Sequence, residues 1–160
     1  MTATLHYYGA MNEPARITIG PMMEEHLESV LVIERASYAA PWKREHFLHE
    51  LTSPHSFPFV ALRDGTLVGY VCLMSLFEDA QILDIAVAPD MRGRGIAQLL
   101  LEYAMSVARE KGAELLALEV RSTNREALSL YERNGFVRSG LRQKYYEGRD
   151  DAVLMEKNLT

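Results

Sequence analysis

A loop rich in glycine and arginine, placed directly before a leucine-rich helix, is the first stretch whose residue types suggest a ligand. The sequence APDMRGRGIAQLLLEYAMSVAREKG covers residues 88–112. A helix N-terminus already presents unpaired N–H groups and partial positive charge, so arginines added there favour a strongly negative partner. Gly93 and Gly95 remove side chains that would block the approach of a phosphate. The loop therefore predicts an anion-binding site where it joins the helix.

Other phosphate-binding patterns fit this loop less well. A P-loop is longer and closes on Gly-Lys-Ser/Thr, which does not occur here. A dinucleotide fingerprint requires a third glycine where Gln98 stands. An ordinary strand-to-helix turn with solvated arginines is the plain alternative. The apolar strand before the loop and the long helix after it favour anion binding, because they make successive backbone N–H groups converge.

Two residues further along the chain could perform acid–base chemistry. In LEVRSTNREALSLYERNGF, Glu119 lies near the end of an apolar strand, where a carboxylate is either exposed at the sheet edge or partly buried with a raised pKa. Asn124, Ala127, Leu128 and Tyr131 follow on one helical face. Taken singly, Glu119 could be a solvated strand end and Tyr131 a core aromatic residue whose hydroxyl is hydrogen-bonded.

A regular succession of elements must position these groups. The predicted elements are, in order, a strand at RITIG, helices at Met23–Tyr38 and Lys43–Leu51, strands at PFVALR, LVGYVCLMSLF and AQILDIAV, a helix that begins at Ile96 and is stopped by Gly112, a strand at AELLALEV, a helix at Asn124–Asn134, and strands at FVRSGLR and DAVLMEKNL. One face of the first helix collects Met23, Leu27, Val30 and Leu31. The order β-α-α-β-β-β-α-β-α-β-β predicts a mixed α/β sheet.

Length and composition indicate one globular domain. The chain has 160 residues, of which 48% are hydrophobic and 24% charged. We expect a single domain over residues 16–160, preceded by an N-terminal extension or mobile end at residues 1–15, where no period is evident. The net charge of −5 argues against general nucleic-acid binding and is compatible with a cationic partner.

Cysteine usage and hydropathy predict a cytoplasmic protein. Cys72 is the single cysteine, which excludes an internal disulfide framework and suits a reducing compartment. No apolar run is long enough to span a bilayer, and no cleavable signal pattern is evident. His46 and His49 are one helical turn apart, but no third ligand lies nearby, so we predict no metal site. We expect a monomer or a weak dimer.

The loop, Glu119 and Tyr131 together resemble the GNAT superfamily of N-acetyltransferases. Those enzymes bind acetyl-CoA through a Gln/Arg-x-x-Gly-x-Gly/Ala loop, which is matched here by Arg92, Gly93, Arg94, Gly95, Ile96 and Ala97. The resemblance extends over nearly the whole chain from Arg16. It looks closest to the RimI-type enzymes, which acetylate the N-terminal alanine of the eighteenth small-subunit ribosomal protein. The stretches that carry this closer match are IERASYAAPW, ILDIAVAPD, LEVRSTNREALSLYERNGF and RQKYYEGRDDAVLM.

The resemblance implies a role for each group of residues in the transfer of acetyl to an amine. Glu119 would be the base, directly or through a water, and Tyr131 the acid that protonates the departing CoA sulfur. The residues implied in acetyl-CoA binding are the strand backbone of Ile85, Ala86 and Val87, the loop from Arg92 through Gly93, Arg94, Gly95, Ile96 and Ala97 to Gln98, and the helix residues Asn124, Ala127 and Tyr131. The pyrophosphate would be the anion at the loop, and the N–H of Val87 would polarise the thioester.

The acceptor implied by the resemblance is the basic N-terminal peptide of a ribosomal protein. Glu34, Trp42, Tyr145 and Tyr146 are its predicted binding residues; a paired or solvated surface glutamate, and simple aromatic packing, are the alternatives. Asp84 replaces an asparagine common in relatives. A lysine side chain, a polyamine or a small amine is an alternative acceptor. A non-catalytic CoA-binding sensor is the alternative without chemistry.

Overall fold

The computed structural model describes the backbone of residues 3–8 and 14–160. Its strands are β1 (Ala3–Tyr8), β2 (Pro14–Pro21), β3 (Ser56–Arg63), β4 (Thr66–Leu76), β5 (Asp79–Val87), β6 (Leu115–Arg121), β7 (Val137–Tyr146) and β8 (Asp150–Asn158). Its helices are α1 (Leu27–Ser37), α2 (Arg44–Thr52), α3 (Ile96–Glu110) and α4 (Arg125–Arg133), with short 3-10 turns at Glu24–His26 and Pro89–Met91. Hydrogen-bonded strand neighbours follow the order β1-β2-β3-β4-β5-β6-β8-β7. In the described part of the chain, no helix is long and apolar enough to cross a membrane.

A strand that the sequence pattern did not reveal lies within the predicted N-terminal extension. Residues 3–8 form β1, antiparallel to β2, with Ala3 opposite Ile19 and Tyr8 opposite Pro14. The backbone pairing of β1 with β2, on which this strand depends, is not visible in the sequence. Residues 1–2 and 9–13 of that extension lie outside the described residues.

The chain divides into two compact units. The first comprises Met1–Leu73 and Asp84–Ala104, and the second comprises Met74–Leu83 and Met105–Thr160. Long elements β4, β5 and α3 contribute to both. The expectation of a single domain over residues 16–160 stays a prediction.

Helix α1 begins four residues later than the sequence predicts. A 3-10 turn precedes it, and Met23 before that turn is 51% exposed. Leu27, Val30 and Leu31 are buried as expected, together with Ile33. Met23 has extended backbone ahead of the 3-10 turn, with φ of −118° and ψ of 162°, so it does not lie on the face that the α-helical period assigns to it.

The first unit packs α3 closely against β4. Leu100, Leu101 and Ala104 on the buried face of α3 are fully inaccessible to solvent. At Gly69 in β4, an added Cβ atom would lie 2.9 Å from the carbonyl oxygen of Ala86 and 3.0 Å from a methyl group of Leu100. The absence of a side chain at this position therefore lets β4, β5 and α3 approach one another.

The second unit places β8 between β6 and β7. Strand β6 is antiparallel to β8 from Leu115, opposite Asn158, to Arg121, opposite Ala152. Strand β7 forms the edge, and nearly all of its side chains are exposed, whereas β8 buries Ala152, Val153 and Met155. The parallel pairing of β5 with β6 covers residues 79–81 and 115–117.

Substituting Gly69 tests the close approach in the first unit. We expect Gly69→Ala to lower the free energy of unfolding by about 1–3 kcal/mol, because the nearest obstacle is a backbone oxygen that cannot turn aside. Gly140→Ala is the matched control, since its Cβ would also meet an atom at 2.9 Å, but that atom is the flexible end of Leu154. Equal losses in urea unfolding of the two variants would contradict this account.

Candidate active site

The loop between β5 and α3 has the backbone conformation of an anion-binding turn. Gly93 and Gly95 have φ angles of 76° and 83°, in the left-handed region that favours glycine. A Cβ atom added at either position would meet no atom within 4 Å, so both face open space. The N–H of Leu99 bonds to the carbonyl oxygen of Gly95 at 3.1 Å, whereas the N–H groups that precede it in a helix have no intrahelical partner. This cradle fits a phosphate.

The two arginines of the loop are placed differently. The Nε of Arg92 donates to the carbonyl oxygen of Val87 at 3.1 Å, and its Nη2 donates to Oγ of Ser37 at 3.0 Å. Arg92 thus ties the loop to the end of β5 and to α1. Arg94 is exposed on the loop surface. The positive charge of both adds to that of the helix N-terminus, but Arg92 also has a bracing role that the sequence did not indicate.

In the predicted cofactor strand, Ile85–Val87, the carbonyl oxygens of Ile85 and Val87 accept hydrogen bonds from the side chains of Tyr38 and Arg92. The N–H of Ala88 bonds to the carbonyl oxygen of Val68 on β4 at 2.8 Å. Backbone groups alternate in direction along a strand, so those of Ile85 and Val87 lie on the opposite edge. There the Tyr38 hydroxyl donates to the carbonyl oxygen of Ile85 at 2.5 Å. Nothing in the sequence around Tyr38 signals this contact.

Glu34 is a buried residue of α1, and this excludes the alternative of a surface glutamate. Its side chain is 1% exposed. The hydroxyl of Tyr70 donates to Oε1 at 2.6 Å, and the backbone N–H of Trp42 donates to Oε2 at 2.9 Å. The Trp42 ring packs on Phe47 with centroids 5.1 Å apart. Glu34 therefore fixes the connection between α1 and α2, and contact of these residues with an acceptor stays a prediction.

In the second unit, Glu119 lies beside the predicted acceptor aromatics. Its carboxylate forms an ion pair with Arg142 on β7, with Nη2 and Oε1 3.1 Å apart, and the Glu119 and Arg142 side chains are 22% and 53% exposed. Burial, and then the nearby charge of Glu119, raise the pKa of the Tyr146 hydroxyl. The rings of Tyr145 and Tyr146 meet edge to face at 5.2 Å. Glu119 is thus a partly buried carboxylate with a cation and aromatic rings around it.

Arg121 braces the turn that carries these tyrosines. Its guanidinium donates to Glu147 and to Asp150, both at 2.6 Å, and it lies over the ring of Tyr146 at 4.6 Å. The hydrogen bonds to these carboxylates raise the pKa of Arg121. Arg121 was not among the predicted site residues, although an arginine that ends β6 two residues after Glu119 is visible in the sequence.

Helix α4 positions Asn124 and Tyr131. The Asn124 side chain accepts from the N–H of Ala127 at 3.2 Å and so caps the helix, as asparagine commonly does. Tyr131 is 5% exposed, and its ring meets that of Phe136 at 5.7 Å. The roles of both residues toward acetyl-CoA stay predictions.

No metal site is found among the residues that the structure describes, since no group of three or more potential ligands occurs there. The two histidines flagged by their spacing take part in bonds at the ends of α2. Nδ1 of His46 accepts from the N–H of Lys43 at 2.8 Å, and Nε2 of His49 lies 3.1 Å from Oγ of Ser53.

A glycine cradle after an apolar strand, and a carboxylate and a buried tyrosine on the following strand and helix, are the parts of an acyl-CoA-dependent transferase. Comparison with known proteins agrees: the sequence profile of the Acetyltransferase (GNAT) family matches residues 27–136. The chain belongs to this family. The predicted fold class and the predicted N-acetyltransferase activity are confirmed, with acetyl-CoA as the cosubstrate.

Individual relatives extend the likeness over most of the chain. A Bacillus subtilis (strain 168) protein, provisionally named a ribosomal protein bS18-alanine N-acetyltransferase, is 37% identical over 84% of this chain and 90% of its own length. The ribosomal protein bS18-alanine N-acetyltransferase of Escherichia coli (strain K12) is 30% identical over 86% and 95%. The crystal structure of the ribosomal-protein-S18-alanine N-acetyltransferase from Escherichia coli has a TM-score of 0.84 at 28% identity, covering 90% of this chain and 94% of that chain.

The pairing of Glu119 with Tyr146 can be tested by titration. We expect Glu119→Gln to lower the pKa of Tyr146, because removing a nearby negative charge makes the phenolate less unfavourable. Ultraviolet difference titration, with Tyr146→Phe to assign the signal, measures this shift. Glu126→Gln on α4 is the control with the same charge change. An unaltered Tyr146 titration in the Glu119 variant would show that the two groups do not interact.

Proposed function

We propose that this enzyme acetylates the N-terminal α-amine, on alanine, of a small-subunit ribosomal protein, by direct transfer in a ternary complex. The observation that carries the proposal is the setting of Glu119, a carboxylate 22% exposed that is paired with Arg142 and close to Tyr146. The names of the relatives, which are similar over most of the chain, support this acceptor. A cytoplasmic location, a monomeric or weakly dimeric state and no direct contact with nucleic acid belong to the same proposal.

Acetyl-CoA supplies the activated thioester and a good leaving group. In the proposal, the backbone N–H groups of Gly93–Gln98 bind its pyrophosphate, with Arg94 adding charge. The edge of β5 at Ile85 and Val87 binds the pantetheine arm as an added strand would, and the Val87 N–H polarises the thioester oxygen. Asn124 contributes its amide group from the cap of α4.

The proton transfers are assigned to two side chains. Glu119 accepts a proton from the acceptor ammonium, directly or through a water, which leaves a neutral nitrogen with a free electron pair. As the new C–N bond forms and the C–S bond breaks, the Tyr131 hydroxyl donates its proton to the departing sulfur. The acylated nitrogen then releases its surplus proton, which restores the Tyr131 hydroxyl, and Glu119 returns its proton to solvent. The cationic acceptor takes the place of the Arg142 guanidinium beside Glu119.

The acceptor class follows from the strength of the base. A terminal α-amine has a pKa of about 8, against about 10.4 for a lysine side chain, so roughly a tenth of an α-amine is already neutral at pH 7. A carboxylate is a weak base, and it suffices for the first acceptor far better than for the second. Trp42, Tyr145 and Tyr146 are assigned to acceptor binding, and so is Glu34, which accepts from the backbone N–H of Trp42.

The direct test compares acetylation of an alanine-initiated basic peptide by the native enzyme and by variants. We expect Glu119→Gln and Tyr131→Phe each to reduce kcat by about 10²–10⁴-fold while acetyl-CoA binding persists, since general acid–base catalysis contributes about that much. Glu126→Gln is the matched control and should retain activity. Full turnover by either active-site variant would refute its assigned role, and preferential acetylation of lysine or a polyamine would refute the acceptor.

A second test concerns the glycine loop. Gly95→Ala forces a side chain into left-handed backbone, which costs about 1–2 kcal/mol, so we expect acetyl-CoA to bind roughly 5- to 30-fold more weakly. Gly112→Ala, at φ of 91° and also in open space, imposes the same strain at the end of α3. Calorimetric titration should show unchanged affinity in this control. Equal loss in both variants would attribute the effect to general destabilisation.

A further inference from the structure

A buried carboxyl group on β5 has an oxygen without a hydrogen-bond partner. Asp84 is 8% exposed, and its Oδ2 accepts no hydrogen bond from any described residue. An unsatisfied buried acceptor is costly, and a native structure rarely retains one without a reason. Two side chains lie within reach of Asp84: Tyr38, whose hydroxyl donates to the carbonyl oxygen of Ile85, and Glu34, which is an acceptor as well. Two carboxylates cannot satisfy each other unless one of them holds a proton.

The neighbouring groups determine whether Asp84 or Glu34 carries the proton. Glu34 already accepts from Tyr70 and from the N–H of Trp42, and an ionised carboxyl has room for about four such bonds. A protonated Asp84 would be a third donor to it. Burial, and then Glu34, raise the pKa of Asp84 well above its usual range, and no cation is among the groups that act on it. Protonating Asp84 therefore removes both the unpaired acceptor and the repulsion.

We propose that Asp84 carries a proton at neutral pH and donates it to the Glu34 carboxylate, and that this buried pair positions the acetyl-CoA strand and the acceptor loop. Asp84 directly precedes Ile85, whose N–H bonds back to the Asp84 side chain and whose carbonyl oxygen accepts from Tyr38. Glu34 accepts from the backbone N–H of Trp42 in the acceptor loop. Asp84 and Glu34 are thus positioning residues, and this part of the inference rests on the proposed function.

Other titratable groups also face this pair, and none of them provides a positive charge. They are Tyr38 after α1, Glu50 on α2, and Tyr70 and Cys72 on β4. Burial raises the pKa of the Tyr70 hydroxyl and of the Cys72 thiol, so both stay neutral. The hydrogen bond from the Ile85 N–H and the nearby Tyr38 hydroxyl favour the charged form of Asp84, but burial outweighs them. The cluster tolerates the negative charge of Glu34 only while Asp84 is neutral.

The protonated state links folding to pH. The pKa of Asp84 is raised in the folded protein, so its contribution to stability is complete below the unfolded value of about 3.9 and is lost as pH rises through the folded value. Asp84→Asn lacks this titration, and its amide group can still donate to Glu34. The stability of the variant relative to the native protein should therefore increase from acid to neutral pH and beyond.

The direct measurement is a carboxyl carbon NMR titration of the full chain with ¹³C-labelled aspartate, with Asp84→Asn to assign the signal. We expect Asp84 to remain protonated at pH 7. Glu34→Gln should lower its midpoint, because a neighbouring negative charge is removed. Glu28→Gln, an exposed position on the same helix, should leave it unchanged. If every aspartate signal of the native protein titrates below pH 7, the proposal is overturned, and this outcome needs no variant.

The positioning role has a kinetic readout. The KM for acetyl-CoA should rise as pH passes the Asp84 midpoint in the native enzyme, and this dependence should be absent from Asp84→Asn. Asp84→Ala should raise that KM about tenfold at pH 7, more than Asp84→Asn, because it leaves Glu34 without its third donor. Identical pH profiles in native enzyme and Asp84→Asn would overturn the positioning role. The NMR titration needs no substrate, so failure of the proposed function is distinguished from failure of this inference.

Discussion

Burial of the Glu34 carboxylate is the constraint on which the first unit depends. A charged group in the interior is tolerated only when donors surround it, and removing one donor leaves an uncompensated charge. Here the donors come from separate segments: Tyr70 on β4 and the backbone N–H of Trp42 in the connection to α2. The path of the chain after α1 is thereby fixed, and with it the position of Tyr38, whose hydroxyl reaches β5. Through these contacts, Glu34 on α1 stabilises the positions of the α1–α2 connection and of β4 and, by way of Tyr38, that of β5.

The conformation of the loop after β5 depends both on its glycine backbone and on the side chain of Arg92. Left-handed conformation at Gly93 and Gly95 turns the chain into α3, and this requirement could be read from the sequence, because glycine adopts such angles without strain. The bracing by Arg92 could not, because its acceptor on Val87 is a carbonyl group that every residue carries. Residue types reveal special backbone geometry, but they do not reveal which ordinary backbone group a long side chain will find.

The same distinction separates what the sequence predicted from what it missed. Hydrophobic periodicity and the glycine and proline residues that end elements located the predicted helices and strands, because both are local properties of the sequence. The sequence missed β1, which depends on backbone pairing with β2, and the 3-10 turn that exposes Met23. At the site, spacing and family resemblance selected Glu119 and Tyr131. The burial of Glu34 escaped prediction because its stabilising donors lie 8 and 36 residues away.

Two carboxyl groups illustrate how partners decide the chemistry of one functional group. Glu119 has a guanidinium at 3.1 Å and is 22% exposed, so solvent and an acceptor amine can reach it. Asp84 is 8% exposed, no cation is among the groups that act on it, and another acid, Glu34, lies beside it, so in the proposal it keeps its proton. A group that holds its proton so firmly is a poor base at neutral pH, whatever its distance from a substrate. Proton abstraction is therefore assigned to Glu119, and the acid on β5 is left to hold the strand in place.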